Sequence, residues 1–405
     1  MGFAHFTIPW YNPPTMKDQQ PLPPPIWVDT QPAFRAMLSH LRGERALAVD
    51  TESNSLYVYR EQVCLIQISV PGTDYLVDPL SMDDLSDLGP LLADSAVLKV
   101  LHGAEYDLSV LYRDFGFTFA HLFDTMWASR ILGWPAHGLA ALLKMQFGVH
   151  LNKKYQRANW GLRPLPPAQL DYARLDTHYL LCLQAIQAQE LETCSRWPQA
   201  QHRFTRLAKT RTEPKGFDPD GFWRISGIRD LDDVGRGVLR ELYLFRDQRA
   251  RHENRPPFRV ISNQALLALS AQRPQSLAEL PQIKGISQRM AGRYGRGLLA
   301  AISQGAKRSL AWQDRVRPNN ASTGRPNGRP SAACQARFEA LRAWRNEAAE
   351  ERGVEPDIVL TNQTLWGVAY RNPHRRTDLS HGDLLARWQV DEFGDDLLEV
   401  VRRVR

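Results

Sequence analysis

The feature that most constrains the fold is an internal repeat in the C-terminal half of the 405-residue chain. The segment LYLFRDQRARHENRPPFRVISNQALLAL at 242–269 aligns without a gap with LRAWRNEAAEERGVEPDIVLTNQTLWGV at 341–368, 99 residues later. Identical residues recur at this offset, for example Asn263 with Asn362. From about residue 215 onward the periodicity is helical and no strand is predicted. We therefore expect two copies of one small all-helical domain.

Composition marks the boundaries around these copies. The segment RPNNASTGRPNGRPSA is rich in Pro, Gly, Asn and Ser, which is typical of a linker, and the first residues of the chain are rich in proline. A chain of this length is expected to form two or three domains. We predict a Pro-rich leader at 1–25, an N-terminal domain at 26–210, a first helical domain at 211–316, a linker at 317–332 and a second helical domain at 333–405.

The N-terminal domain is predicted to be α/β. Strand candidates are rich in β-branched and apolar residues: RALAVDT (45–51), VCLIQISV (63–70), DYLVD (74–78) and AVLKVLHG (96–103). Helical periodicity then dominates, with helices predicted at about 104–113, 124–133, 138–147 and 167–190. These patterns predict a mixed sheet with helices packed around it.

Charge is distributed unevenly along the chain. The net charge is +7, but residues 203–330 alone carry 25 basic against 11 acidic side chains, whereas 1–202 and 331–405 are slightly acidic. A polyanion such as nucleic acid is the natural partner for the middle block, and the alternative is an arginine-rich surface that serves only solubility. The candidate phosphate contacts are Arg240, Arg246, Arg249, Arg251, Arg255, Arg259, Lys284, Arg289, Arg293 and Arg296.

Several protein classes are excluded by composition. No apolar run approaches the length that spans a bilayer, and the N-terminus lacks the basic-then-apolar pattern of a secretory signal. The four cysteines are scattered, with no CxxC pair, so they predict reduced thiols and neither a disulfide framework nor a zinc site. We expect a cytoplasmic protein.

Acidic residues end the first predicted strand. In ALAVDTES, Asp50 and Glu52 are two residues apart, so on a strand they project from the same face. An isolated pair of this kind is equally well explained by a strand turning into solvent. Asp107 lies on the first turns of the helix that follows a later strand, and Tyr172 and Asp176 are four apart, on one face of a helix.

Each of these residues taken singly also has a structural explanation: a surface charge, a packed ring or an ion pair. The order and spacing of the whole set favour carboxylates that converge on one point, and magnesium prefers such oxygen ligands.

The motifs as a set resemble a known family. VDTES (49–53), VLHGAEYDLSVL (100–111), YARLDTHYLL (172–181) and HGLAALLKMQFGVHLNKKYQRANWGLRPLPPAQL (137–170) resemble ribonuclease D, in the tyrosine branch of the DEDD 3′→5′ exonucleases. The two helical copies resemble HRDC modules, which bind nucleic acids. The second copy departs from the first: it is acidic overall, and Leu384 stands where the first copy has Gly285. The resemblance covers nearly the whole chain from about residue 26.

The resemblance implies an RNase H-like exonuclease domain followed by two HRDC-like domains. It implies that Asp50, Glu52, Asp107 and Asp176 hold two Mg²⁺ or Mn²⁺ ions about 3.5–4 Å apart, and that Tyr172 orients the attacking water. The implied activity is metal-dependent release of mononucleotides from RNA 3′ ends, in the maturation of tRNA and other structured precursors. We expect a monomer. The alternatives are a DNA exonuclease of the same chemistry and an RNA-binding protein whose site has decayed.

A polar and aromatic loop before the last of these helices is the candidate substrate contact. Arginine can clamp phosphate and tryptophan can stack on an unpaired base, whereas the equally weighted alternative is loop packing. The substrate-binding candidates are Gln156, Arg157, Trp160 and Arg163, with Asn159 beside them.

Of two histidines near the motifs, His102 is predicted to be structural and His178 is left out of the site. His102 precedes the third carboxylate, and His178 lies two residues from Asp176 and so on a different face of the helix. Gly103 is expected to relieve a tight passage from strand to helix.

Overall fold

The structure is a computed structural model that describes residues 22–211, 216–312 and 330–404. Most of the predicted leader at 1–25 and of the predicted linker at 317–332 lies outside these residues. No helix in the described ranges combines the length and the apolar character needed to cross a lipid bilayer.

A mixed sheet forms the centre of the N-terminal part, as the sequence predicts, and it has six strands. Its strand order is β1-β4-β3-β2-β5-β6, with β2, β5 and β6 parallel to one another, β1 parallel to β4, and β3 antiparallel to β4. The strands are β1 (Ile26–Val28), β2 (Ala46–Ser53), β3 (Val63–Val70), β4 (Thr73–Val77), β5 (Leu98–Leu101) and β6 (Leu122–Asp124). Every residue of β3 is buried, as expected of a strand covered on both faces.

Helices surround this sheet. They are α1 (Gln31–Leu41), α2 (Leu88–Ala93), α3 (Glu105–Phe115), α4 (Thr125–Leu132), α5 (Leu139–Phe147), α6 (Pro167–His178), α7 (Leu180–Thr193) and α8 (Trp197–Leu207). The prediction of one helix over 167–190 is wrong, because the helix is interrupted at Tyr179 and continues as α7. The edge strands β1 and β6 and the helices α1, α2 and α8 were not predicted.

The repeat is confirmed by the helices of its two copies. The first copy contains α9 (Asp233–His252), α10 (Pro257–Val260), α11 (Asn263–Gln272) and α12 (Gln288–Ala306). The second contains α13 (Ala332–Glu351), α14 (Pro356–Val359), α15 (Asn362–Arg371), α16 (Arg376–Ser380) and α17 (Arg387–Arg403). The helices α13, α14, α15 and α17 each begin 99 residues after their counterparts in the first copy. The described residues from 216 onward contain no strand.

One buried arginine explains part of the identity between the copies. Arg246 Nη1 donates to Asn263 Oδ1 at 2.7 Å and to the carbonyl of Ile261 at 3.1 Å. Arg345 makes the same pair of bonds in the second copy, with Asn362 Oδ1 at 2.7 Å. Arg246 is only 6% exposed. The expectation that Arg246 contacts phosphate is therefore wrong: it fastens the loop before α11 to α9.

The described chain folds into two compact units that do not follow chain order. The first comprises 22–52, 63–211 and 330–404, so it holds the sheet together with the second repeat copy. The other comprises the first repeat copy, 216–312, and the loop 53–62 that connects β2 to β3. The domain boundaries predicted from composition stay a prediction.

Candidate active site

The first three carboxylates lie at one edge of the sheet. Strands β2 and β5 are parallel, with Ala48 opposite Val100, so their carboxyl ends share that edge. Asp50 and Glu52 belong to the last part of β2. Asp107 lies in the first turn of α3, just beyond β5, and is 5% exposed.

The passage from β5 into α3 is a constrained turn. Gly103 has φ +72°, a left-handed conformation that favours glycine, which agrees with the role expected for it. Asp124 accepts hydrogen bonds from the backbone N–H groups of Gly103 at 3.1 Å and Ala104 at 2.8 Å, and it also caps α4. Sequence reasoning missed Asp124, although an aspartate at the start of a predicted helix is a capping signal. Through this turn Asp124 fixes the start of the helix that carries Asp107.

Helix α6 supplies the other two residues. Tyr172 and Asp176 lie one turn apart and are 7% and 8% exposed. The Tyr172 hydroxyl donates to the Asp176 carboxylate, which lowers the pKa of Asp176, and Gln156 hydrogen-bonds the Tyr172 oxygen. The ring of Tyr172 packs against Trp160, with ring centroids 6.2 Å apart. The tyrosine is thus held at its ring and at its hydroxyl.

The four carboxylates act on one another electrostatically. Burial raises the pKa of Asp50 well above its usual range, and the charges of Asp107, Asp176 and Glu52 raise it further. Burial likewise raises the pKa of Glu52, with added repulsion from Asp176 and Asp107. Burial raises the pKa of Asp107 and that of Asp176 to about 7 in each case. The structure therefore brings the four predicted acidic residues within range of each other's charge.

Hydrogen bonding partly offsets this repulsion. The buried hydroxyl of Thr51, which lies between Asp50 and Glu52 in β2, donates to Asp107 Oδ1 at 2.5 Å and lowers its pKa. The charged neighbours that shift the pKa of Glu52 and of Asp176 are all acidic. A neutral hydroxyl cannot compensate several buried negative charges.

The chemistry of this donor set fits a hard divalent cation. All four predicted ligands are carboxylates, and oxygen is the ligand atom that Mg²⁺ prefers. Within 22–211, 216–312 and 330–404, no three His, Cys, Asp or Glu side chains are grouped closely enough to form a metal site as they stand. Mutual repulsion is a physical reason for carboxylates of one cluster to stand apart, and a bound cation would remove it.

Two of the four predicted substrate contacts are structural, which corrects that expectation. Trp160 is 1% exposed and belongs to a small core cluster that includes Tyr172, so its ring is not available to stack on a base. Arg163 binds both oxygens of Asp78 at 2.6 Å each and also donates to the Cys64 carbonyl at 2.7 Å. These bonds fasten the loop before α6 to β3 and to the end of β4.

The remaining candidates of this loop lie at its surface. Gln156 and Arg157 are exposed, and Asn159 is partly exposed. The Asn159 side chain accepts a hydrogen bond from the Gly161 backbone at 3.2 Å, which is a turn-stabilising role. For Gln156 and Arg157, contact with the substrate stays a prediction.

Both histidines make structural contacts, as predicted for His102. His102 Nδ1 lies 2.9 Å from the Thr125 hydroxyl, and burial lowers the pKa of His102 to about 4. His178 Nδ1 lies 2.8 Å from Asp74 Oδ2. Asp74 also accepts a hydrogen bond from Ser69 at 2.7 Å. The pair joins α6 to β4, on which Asp74 lies.

Comparison with protein families agrees with this architecture. A 3′–5′ exonuclease family model matches residues 25–192. An HRDC domain model matches twice, at 236–302 and 335–401, on the two copies of the repeat.

Individual relatives point the same way. Ribonuclease D of Gluconacetobacter diazotrophicus is 30% identical over 381 residues, which cover 93% of this chain and 92% of that protein. The exosome complex exonuclease RRP6 of Saccharomyces cerevisiae is 34% identical over 302 residues, covering 71% of this chain but only 41% of that longer protein. The crystal structure of Escherichia coli RNase D, described as an exoribonuclease involved in structured RNA processing, has a TM-score of 0.63. At 24% identity over 94% of this chain and 99% of that one, it supports the fold.

Family membership supports a requirement for a divalent metal ion and the binding of RNA. The exonuclease model, the paired HRDC domains and a ribonuclease D relative matched over nearly its whole length indicate one family. The chain therefore belongs to the ribonuclease D family of 3′→5′ exoribonucleases.

Proposed function

We propose that this chain trims the 3′ ends of structured RNA, such as tRNA precursors, with two Mg²⁺ or Mn²⁺ ions held by Asp50, Glu52, Asp107 and Asp176. The observation that carries the proposal is the cluster of buried and half-buried carboxylates that repel one another, since such a cluster is costly unless cations bind it. The processing of structured RNA is suggested by the description of the Escherichia coli relative. A cytoplasmic location and a monomeric state stay predictions.

Each group has a distinct role in this proposal. The four carboxylates hold the ions, and when bound the ions supply an activated water and neutralise charge that builds on the phosphate. Tyr172 orients the attacking water through its hydroxyl oxygen, because its single proton is donated to Asp176. It does not act as the base, because burial and the nearby charges of Asp176 and Glu52 raise the pKa of Tyr172 above its ordinary value.

The first repeat copy binds the RNA backbone electrostatically. Arg289, Arg293 and Arg296 are exposed and lie on α12 with spacings of four and three residues, so they form one stripe of the helix. Lys284, also exposed, lies just before this helix. Phosphate contacts of this kind give an affinity that falls steeply with salt and that depends little on sequence.

Polarity and substrate class are tested with end-labelled strands. RNA and DNA of the same sequence, labelled at either end, are incubated with Mg²⁺, with Mn²⁺ or with chelator. We expect mononucleotides to be released from the 3′ end of RNA only when metal is present. Release from the 5′ end, or hydrolysis that persists in chelator, would contradict the assignment, and faster degradation of DNA would move the protein to the DNA exonucleases.

Stabilisation by metal is expected to depend on pH. The pKa values of Asp107 and Asp176 are about 7 in the folded protein and near 4 in the unfolded chain. Between about pH 4 and pH 7 the folded state therefore binds more protons than the unfolded state, and the free energy of unfolding falls as pH rises through this range. Mg²⁺ competes with those protons, so the gain in melting temperature on adding Mg²⁺ should grow from pH 5.5 to pH 8. Differential scanning fluorimetry at matched ionic strength, with NaCl in place of MgCl₂ as control, measures this gain. A gain independent of pH would count against carboxylate ligands.

A further inference from the structure

The second repeat copy is acidic and has no role in the function proposed above, yet it belongs to the same compact unit as the sheet. Its short helix α14 contacts the nuclease part, by which we mean the sheet and the helices α1 to α8. Ile358 is 6% exposed and forms part of the hydrophobic core built around the sheet. Gln199 Nε2 of α8 donates to the Ile358 carbonyl at 2.6 Å. This copy is therefore fastened to the nuclease fold by a buried apolar contact and a hydrogen bond.

The backbones of the two parts approach closely beside this contact. Gly133 ends α4 with φ +77°, and a Cβ added there would lie 2.3 Å from the Gly353 carbonyl oxygen. Arg196 donates to the Ile131 carbonyl at 2.8 Å and to the Arg352 carbonyl at 2.9 Å. One arginine thus bridges the end of α4 and the turn after α13.

Charged groups extend the interface. Arg130 of α4, of which 18% of the side chain is exposed, donates through Nε to Glu355 Oε2 at 2.9 Å and through Nη2 to Asp357 Oδ2 at 2.9 Å. Both acidic residues lie at the start of α14, where a helix accepts negative charge favourably. Arg130 is therefore held by two carboxylates of the second copy.

A stack of side chains leads from Arg130 to the helix of Asp107. The ring of Trp127 lies between two guanidinium groups, with Arg130 Cζ 4.5 Å and Arg203 Cζ 3.5 Å from its centroid. Arg203 Nη2 donates to Glu105 Oε1 at 2.6 Å. Glu105 is the first residue of α3, two positions before Asp107.

The two copies differ at the residues that make this contact. Offset by 99 residues, Glu355 corresponds to Pro256, Asp357 to the exposed Phe258, and Ile358 to Arg259. The proline at the start of the short helix, Pro257 or Pro356, is kept in both copies.

The docking side chains are thus particular to the second copy, whereas the framework of the helix is shared.

We propose that the second HRDC-like copy is a positioning brace for the nuclease. It fixes α4 and, through Arg130, Trp127, Arg203 and Glu105, the first turn of α3 that presents Asp107. The proposal rests on the role proposed for Asp107. It also gives two acidic residues of this copy, Glu355 and Asp357, a role within the chain.

The test reverses the charges at the interface in the full-length protein. In the variant Glu355→Lys/Asp357→Lys the new side chains repel Arg130, and adding Arg130→Glu restores attraction. We expect the double variant to show about tenfold faster amide hydrogen exchange in the first turns of α3 and α4. We also expect a threefold to tenfold lower kcat on a short single-stranded RNA with KM unchanged, because positioning and not binding is lost. The triple variant should recover part of both.

A matched control carries the same change of charge at two exposed residues whose ion pairs lie within α17. Asp391 and Glu399 lie on α17, have side chains 66% and 60% exposed, and pair with arginines four residues on or before. Asp391→Lys/Glu399→Lys should leave exchange and kcat unchanged. The brace is overturned if the docking variant keeps normal exchange or normal kcat, or if the control changes as much. Faster exchange and reduced kcat in the docking variant, together with normal hydrolysis by Asp107→Asn, would support the brace and overturn only the role proposed for Asp107.

Discussion

Replacing Asp50 by asparagine is expected to abolish metal-dependent hydrolysis and to stabilise the metal-free protein at the same time. The asparagine keeps the shape of the side chain but removes the negative charge of Asp50, which is repelled by the carboxylates of Asp107, Asp176 and Glu52. Loss of a charged group that supports the transition state lowers kcat by at least about 10³-fold. Loss of a buried, repelled charge raises the melting temperature. Single-turnover assays with Mg²⁺ and thermal unfolding in chelator at pH 8 measure the two effects.

The opposite signs of these effects make the result specific. Asp171 lies on α6 with Asp176, but 62% of its side chain is exposed and it pairs with Arg174 on the surface. Asp171→Asn should therefore change neither hydrolysis nor the melting temperature measurably. Turnover near normal in Asp50→Asn would refute the assignment of this carboxylate. A lower melting temperature in chelator would show instead that Asp50 has a stabilising partner.

The features that sequence reasoning predicted are those encoded by local periodicity. The 99-residue offset predicts the starts of four helices because each copy repeats the same pattern of buried residues and the same Arg–Asn pair. The pair Asp50 and Glu52, and the pair Tyr172 and Asp176, share a face because strand and helix geometry require it. Asp107 lies near Asp50 and Glu52 for a different reason: β5 pairs in parallel with β2, so the helix that follows β5 begins beside the end of β2.

What sequence reasoning missed depends on contacts between distant segments. The three-residue strands β1 and β6 are too short to show alternation, and they form because a neighbouring strand supplies hydrogen bonds. The assembly of the second copy with the sheet depends on Ile358, whose apolar character looks ordinary in a helical domain. The loop before α6 was interpreted as a substrate contact because composition does not distinguish a buried Trp from an exposed one.

Trp160 therefore offers a decisive test between a structural role and a substrate contact. Its ring is 1% exposed and packs against Tyr172, and the ring Nε1 has no hydrogen-bond partner within the described residues. Trp160→Ala should lower the free energy of unfolding by about 3–5 kcal/mol, as expected for a large buried aromatic residue. Trp160→Phe should cost much less, because it keeps an aromatic ring and breaks no hydrogen bond.

Leu162, two residues further along the same loop and 59% exposed, is the matched control. Leu162→Ala should change the free energy of unfolding by less than about 0.5 kcal/mol in urea titrations. If Trp160 instead stacked on an RNA base, Trp160→Ala would raise KM for single-stranded RNA while leaving stability unchanged. We expect the reverse, namely that Trp160→Ala lowers the free energy of unfolding and leaves KM unchanged. It should also lower kcat, because Tyr172 would lose the ring that packs against it and would orient the water less well.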